Sequence, residues 1–151
     1  MTATVLRPAR PEDAAEIARL AGALGYEASG EQMRVRLLRL CPDPAQCVLV
    51  ASAGAAPLLG WIHAARTLVL ESGEVVEILG LVVDAAARRR AIGRALVAAA
   101  ERWARECGVE RIVVRSNAVR AEAHAFYPAL GYALAKTQQV YRKSLGRHAG
   151  A

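Results

Sequence analysis

Phenylalanine occurs once in this chain, tryptophan and methionine twice each, and lysine only as Lys136 and Lys143. Aromatic residues amount to 5% of the total, too few to interleave with basic residues as a stacking platform for single-stranded nucleic acid. Nor is there a helix-turn-helix pattern. The three cysteines, Cys41, Cys47 and Cys107, are an odd number with no CxxC and no Cys/His zinc spacing. They exclude a disulfide framework and a structural metal, and predict reduced, mostly buried thiols in a cytoplasmic protein. The first residues, MTATVLRPARPED, lack the apolar core of a secretory signal. Acidic and basic residues are both missing from Pro44 to Ala65, a run long enough to cross a bilayer. Its middle, Ala53-Gly54-Ala55-Ala56-Pro57, is turn chemistry, and Ser52, Gly60 and His63 are poor lipid-facing residues. Two buried strands joined by a turn are expected there, and no membrane contact.

What remains is an ordinary globular balance: 151 residues, 54% apolar and 23% charged. That is one domain, large enough to bury a core without cross-links. Twenty basic residues against fourteen acidic ones give a charge of +6. With two lysines, arginine supplies the other eighteen. A basic balance suits an anionic partner, such as nucleic acid, a membrane surface or a phosphorylated cofactor. The basic run Arg34, Arg36, Arg39 falls at mixed helical angles beside Leu37, Leu38 and Leu40, as a solvated face does. No nucleic-acid partner is therefore expected.

The patterning alternates between strands and helices. Val5-Leu6 reads as a short strand. Pro11–Leu24 reads as a helix whose stripe is Ile17, Leu20, Ala21 and Leu24, ended by Gly25. Ser29 and Gln32 form a capping-box signature for a second helix carrying Met33, Leu37 and Leu40. Strands are predicted at Gln46–Ser52, Leu58–Leu70 and Val75–Val83. Ile92–Cys107 is a helix with an inner stripe of Ile92, Leu96, Ala99, Trp103 and Cys107. Arg111–Arg115 is a strand, Arg120–Leu130 a helix kinked near Pro128, and Tyr132–Lys143 a last strand. This order predicts one α/β domain with a mixed sheet.

One junction carries chemistry. At Val83-Asp84-Ala85-Ala86-Ala87-Arg88-Arg89-Arg90-Ala91-Ile92-Gly93-Arg94 a buried strand ends, a short loop follows and a helix begins. Free N–H groups and the positive end of the helix dipole attract an anion there, Gly93 permits close approach, and the arginines add charge. A diphosphate fits this chemistry. A solvated basic loop capping a structural helix is the alternative. Neither GKS/GKT nor GxGxxG is present, so this is neither a P-loop nor a dinucleotide fingerprint.

Arg88-x-x-Ala91-x-Gly93 in this setting resembles motif A of the GCN5-related N-acetyltransferases (GNAT family). Upstream the likeness runs through Glu77-Ile78-Leu79-Gly80-Leu81-Val82-Val83-Asp84. Downstream, Phe126-Tyr127-Pro128-Ala129-Leu130-Gly131-Tyr132 is similar to the family's motif B, and Gly60-Trp61-Ile62-His63 falls on its third strand. The order of elements fits from Val5 to Lys143. Two departures stand out. Ala91 replaces the usual first glycine of motif A, and Asn117 lies ten residues before Tyr127 instead of seven, so Arg120 is the alternative occupant of the Asn position.

The resemblance implies a single GNAT-like domain over residues 1–145 with a tail at 146–151. Its central sheet would be mixed and mostly antiparallel, flanked by helices. It implies acetyl-CoA as acyl donor, no metal, a small-molecule amine as acceptor and a homodimer, frequent in the family. The cofactor would lie on Leu81, Val82 and Val83 through the backbone, and on Arg88, Arg89, Arg90, Ala91, Ile92, Gly93, Arg94 and Asn117. The Leu81 N–H would polarise the thioester. Glu77, set in an apolar strand whose burial raises a carboxylate from about 4.3 towards neutrality, is the candidate base, directly or through water. Strand parity places it on the face of Leu81. His63 is the alternative base. Tyr127, a phenol near pKa 10, is the candidate acid for the leaving thiolate. Trp61, Gly25–Gln32 and Arg66–Glu74 border the expected acceptor site. A non-catalytic acyl-CoA-binding regulatory module on the same fold is the second reading.

Overall fold

The computed structural model describes residues 3–55, 57–115 and 121–147, with side chains except at 88–90 and 121–124. β1 (Val5–Pro8) leads through a 3₁₀ turn at Pro11–Asp13 into α1 (Ala14–Gly22), and α2 (Gly30–Leu40) follows. Then come β2 (Gln46–Ser52), β3 (Gly60–Val69), β4 (Gly73–Val83), a 3₁₀ segment at Ala85–Arg90, α3 (Ile92–Glu106), β5 (Ile112–Val114) and α4 (Ala121–Ala129). The chain divides into two compact units, 1–115 and 116–151.

The first unit holds a five-stranded sheet in the order β1-β2-β3-β4-β5. The first four strands run antiparallel to their neighbours, and β5 joins β4 in parallel. A parallel join needs a long crossover, which α3 supplies. This is the mixed, mostly antiparallel sheet expected of the α/β class.

Helices cover both faces. Trp61 and Val82 are cross-strand partners, as are Val50 and Trp61, and all three pack against Ala14, Ile17 and Leu20 of α1 and Leu37 of α2. Gly60, one residue from Trp61, points to the other face. A Cβ there would lie 2.8 Å from the Val82 carbonyl oxygen and 3.3 Å from both Ile92 Cγ2 and Leu96 Cδ1 of α3. Glycine at position 60 thus sets how closely α3 approaches the sheet. The buried line of α3 runs Ile92, Leu96, Ala100, Ala104, flanked by Val97 and Ala99. Trp103 and Cys107 sit at its margin, half-buried, a correction to the expected stripe. Alanines at 100 and 104 let the helix axis come close, which leaves no room for an indole beneath it.

Local signals hold each start in place. Ser29 Oγ accepts from the Gln32 N–H at 3.0 Å and Gln32 Oε1 accepts from the Ser29 N–H at 2.9 Å, so both halves of the capping box form. Asp13 is buried and takes three hydrogen bonds, two from the Arg7 guanidinium and one from the Arg10 N–H, each 2.8 Å. Arg7 holds its carboxyl below the usual carboxylate range. Cys47 is buried and its thiol is pushed up to about 11, whereas Cys41 is exposed, against expectation.

In the second unit, α4 contains Pro128 and stops at the next residue, and Gly131 turns the chain at φ 93°. The strand expected at Tyr132–Lys143 is not formed. Residues 133–147 belong to no helix or strand and all are exposed. Strand-forming side chains need a partner edge before they become a strand.

Candidate active site

β4 is irregular where it matters. Its register against β3 shifts between His63↔Gly80 and Ala64↔Ile78, so Leu79 is an extra residue with no partner on β3. This β-bulge bends the strand and strengthens its twist. On the other side, β5 pairs only with Val76, Glu77 and Ile78. From Leu79 to Val83 that edge of β4 has no strand partner among the described residues. An exposed row of backbone N–H and C=O groups on this stretch can pair with an extended, amide-bearing ligand.

The bulge also overturns the parity expectation. Cross-strand partners share a face. Glu77 is opposite Ala65 and Leu81 is opposite Ile62, three residues apart on β3 and so on opposite faces. Glu77 instead shares the face of Gly80 and Val82, whose partners are His63 and Trp61. A simple alternation count across one extra residue gives the wrong side.

Beyond Val83 the chain winds into the 3₁₀ segment. Asp84 caps it, its carboxylate accepting from the Ala86 N–H at 3.0 Å and its carbonyl from the Ala87 N–H at 2.9 Å. The segment includes the backbone of Arg88, Arg89 and Arg90. Ala91 then adopts φ 58°, ψ 26°, the left-handed region, among the described residues the sole non-glycine with positive φ. A right-handed residue followed by a left-handed one turns successive N–H groups to one side, forming a nest for an anion. Among the described residues no side chain caps the start of α3, so the first amides at Ile92, Gly93 and Arg94 add to that nest. Ala91 and Arg94 are exposed, Gly93 is half-buried, and Leu81 and Val83 are half-buried on the strand leading there. These predicted residues therefore form one continuous track. Asn117 lies outside the described residues.

Alanine in the left-handed region costs roughly 1 kcal/mol or more. Ala91→Gly relieves this while loosening the unfolded chain by about 0.5–1 kcal/mol, so a net gain of up to about 0.5 kcal/mol is expected. Ala91→Val, whose branched Cβ tolerates the region worst, is expected to lose about 1–2 kcal/mol, or several degrees of melting temperature by calorimetry. Equal melting of both variants would contradict a left-handed Ala91.

Glu77 is half-buried, its side chain 21% exposed, and it accepts from Arg115 Nη1, an exposed guanidinium just past β5. His63 shares its sheet face. Its Nε2 lies 2.7 Å from Gln46 Oε1, and burial lowers its pKa, favouring neutral imidazole. Trp61 Nε1–H is buried without an acceptor among the described residues, and the ring lies over Gly80, where a Cβ would come within 2.9 Å of it. In the second unit, Tyr127 is half-buried between Phe126 and Tyr132, with ring centroids 5.0 and 5.7 Å away in edge-to-face contact. Burial raises its phenol above the ordinary value, so it holds its proton at neutral pH.

One network had not been foreseen. Arg19 on α1 pairs with Glu16, reaches Asp84 Oδ2 at 3.4 Å and donates to the Leu58 carbonyl at 3.1 Å. Glu16 accepts from the Leu58 N–H at 2.9 Å, and the Asp84 N–H donates to the Leu59 carbonyl at 2.8 Å. This ties α1 to the junction where β4 becomes the nest. The Glu16/Arg19 spacing was visible in the sequence, but its distant partner was not.

A bulged strand with no strand partner at Leu79–Val83 among the described residues, running into an amide nest at a helix start, is a geometry that can hold an extended anionic ligand along a sheet. The acetyltransferase (GNAT) family model matches residues 14–132, and the chain belongs to that family. No curated protein sequence matches it. Among solved structures, an aminoglycoside antibiotic 6'-N-acetyltransferase from Acinetobacter baumannii superposes with a TM-score of 0.82 at 18% identity, covering 95% of this chain and 100% of that one. Glucosamine-6-phosphate N-acetyltransferase from Arabidopsis thaliana gives 0.81 at 15% identity, covering 94% and 99%. A transcriptional regulator from Bacillus halodurans gives 0.82 at 24% identity, covering 93% and 100%. At these identities the likeness is one of fold. No described helix is long and apolar enough to cross a membrane.

Proposed function

We propose that this chain transfers an acetyl group from acetyl-CoA to the primary amine of a small molecule, by direct attack in a ternary complex. The single observation that supports this best is the Leu79–Val83 edge, without a strand partner among the described residues, running into the nest at Ala91. The diphosphate of the donor would sit on the amides of about Arg89 to Arg94, with Arg88 and Asn117 alongside. The pantetheine amides would pair with Leu81–Val83, and the Leu81 N–H would point at the thioester oxygen. A structural relative, an aminoglycoside N-acetyltransferase, was solved in complex with CoA.

In this reading Glu77, directly or through water, takes a proton from the acceptor ammonium, and the free amine attacks the thioester carbonyl. The tetrahedral oxyanion is held by the strand amide, Tyr127 donates its proton to the departing thiolate as the C–S bond breaks, and the acylated nitrogen gives its remaining surplus proton to water or to the phenolate so left. The products are an N-acetyl amide and CoA thiol. Tyr127→Phe is then expected to lower kcat by about 10²-fold with little change in KM for acetyl-CoA. Thiol release from acetyl-CoA over a panel of amines, in wild type and variant, measures it. Full turnover in Tyr127→Phe would remove the tyrosine from the mechanism.

The second reading, an acyl-CoA-binding module without catalysis, draws support from the strained Ala91 and from the Arg115 cation on Glu77. Calorimetric binding of CoA without thiol release on any amine would favour it. No uptake of CoA would overturn both readings.

A further inference from the structure

The carboxylate of Glu77 does not stand alone. Arg115 directly follows β5, and in the parallel ladder Glu77 is opposite Val113. Residues two apart share a face, so Arg115 falls on the face of Val113 and of Glu77. From there its Nη1 donates to Glu77 Oε2. The carboxylate side chain is 21% exposed and the guanidinium 64%, so the pair opens outward where the β4–β5 ladder ends. Among the described residues this single contact is what each side chain makes. Glu77 Oε1 and the remaining N–H groups of the Arg115 fork are left for a ligand.

No other cation competes at this carboxylate among the described residues. Arg111, before β5, donates to the Ser72 carbonyl at 3.0 Å. Arg66 is opposite Val76 and so lies on the other face. His63 shares the face of Glu77, but burial lowers its pKa and keeps the imidazole neutral. An exposed ion pair contributes little to stability, because water solvates both charges. As a receptor, however, it has a direction: negative beside positive. An ammonium set on Oε1 lies next to the guanidinium, and two like charges held that close repel. A plain alkylamine leaves this repulsion uncompensated, and a diamine adds to it. An amine that carries its own anion cancels it.

We propose that Arg115 determines specificity and that the acceptor is a zwitterion, a primary amine bearing a carboxylate or phosphate across a short carbon spacer, with its ammonium on Glu77 and its anion on the Arg115 fork. This rests on the reading of Glu77 as the residue that receives the amine. A guanidinium fork takes either anion in a two-pronged contact, so carboxylate and phosphate are one chemistry at this site.

Two pairs of probes differ by one anion each: β-alanine against propylamine, and O-phosphoethanolamine against ethanolamine. With acetyl-CoA, thiol release by the wild type is expected to favour the zwitterion of at least one pair by about tenfold or more in kcat/KM, the scale of a charge-assisted hydrogen bond. The pair with the larger ratio identifies the anion. Arg115→Met is expected to bring both ratios to about one, and Arg115→Glu to turn the preference towards 1,3-diaminopropane over propylamine. Wild-type ratios near one for both pairs would overturn the proposal, as would ratios that persist in Arg115→Met. Calorimetric titration of the same amines into the full chain, with and without CoA, reads the preference apart from turnover. A binding preference that Arg115→Met abolishes, with no thiol release on any amine, would remove the transferase reading and support this one. Equal binding of each pair, or none, would overturn this proposal and leave acetyl transfer to its own assay.

Discussion

Glu77→Gln is expected to lower kcat by at least about 10²-fold, the range general bases contribute, while leaving the affinity for CoA within a few fold. The glutamine keeps the shape and an acceptor oxygen for Arg115, so what is removed is the capacity to take a proton. The carboxylate lies on the α1/α2 face of the sheet with His63 and Gly80, at the point where the ladder to β5 ends. Arg115→Met, which keeps the carboxylate and removes its exposed cation, is expected to change kcat by much less. His63→Gln separates the alternatives. If His63 were the base, its replacement would carry the loss in kcat and Glu77→Gln would leave turnover intact, which would falsify the assignment made to Glu77.

Asp13→Ala is expected to cost about 2–4 kcal/mol, lowering the melting temperature by about 6–12 °C. A buried carboxylate with three 2.8 Å hydrogen bonds joins β1 to the first turn of the helical layer. Removing it strands the Arg10 N–H and leaves the Arg7 guanidinium, only a quarter exposed, without its partner. The pH dependence follows in sign. The folded carboxyl titrates below its ordinary value near 4, so the unfolded chain binds the proton first as pH falls. Its stabilisation is present above about pH 4 and is lost as pH drops through the depressed value. Wild type and Asp13→Ala should therefore converge in stability at strongly acid pH. A constant gap at all pH values would remove the ionic part of the explanation.

Much of this architecture was legible because its signals are local. Ser29 and Gln32 announce a helix start that needs nothing distant to form, and the apolar run into Val83 can only be a buried strand. The strand–loop–helix passage from Val83 to Gly93 could be read as an anion site for the same reason, since helix starts present their amides whatever surrounds them. Three features escaped. The extra residue at Leu79 is defined by the count on β3, which no inspection of β4 alone reveals, and it reversed the side on which Glu77 was placed. Arg115 meets Glu77 across 38 positions of sequence, and Arg19 meets Asp84 across 65, so neither pairing leaves a periodic trace. The strand expected at Tyr132–Lys143 does contain the strand formers Thr137, Val140 and Tyr141, yet propensity cannot supply the neighbouring edge on which a strand depends.

The opening beside β4 is stored as an odd number. With Leu79 deleted, residues either side would keep their present partners on β3, the kink would relax, and the strand would run straight toward its parallel neighbour. Insertions and deletions within Glu77–Val83 are thus the changes to which binding should be most sensitive and overall architecture least.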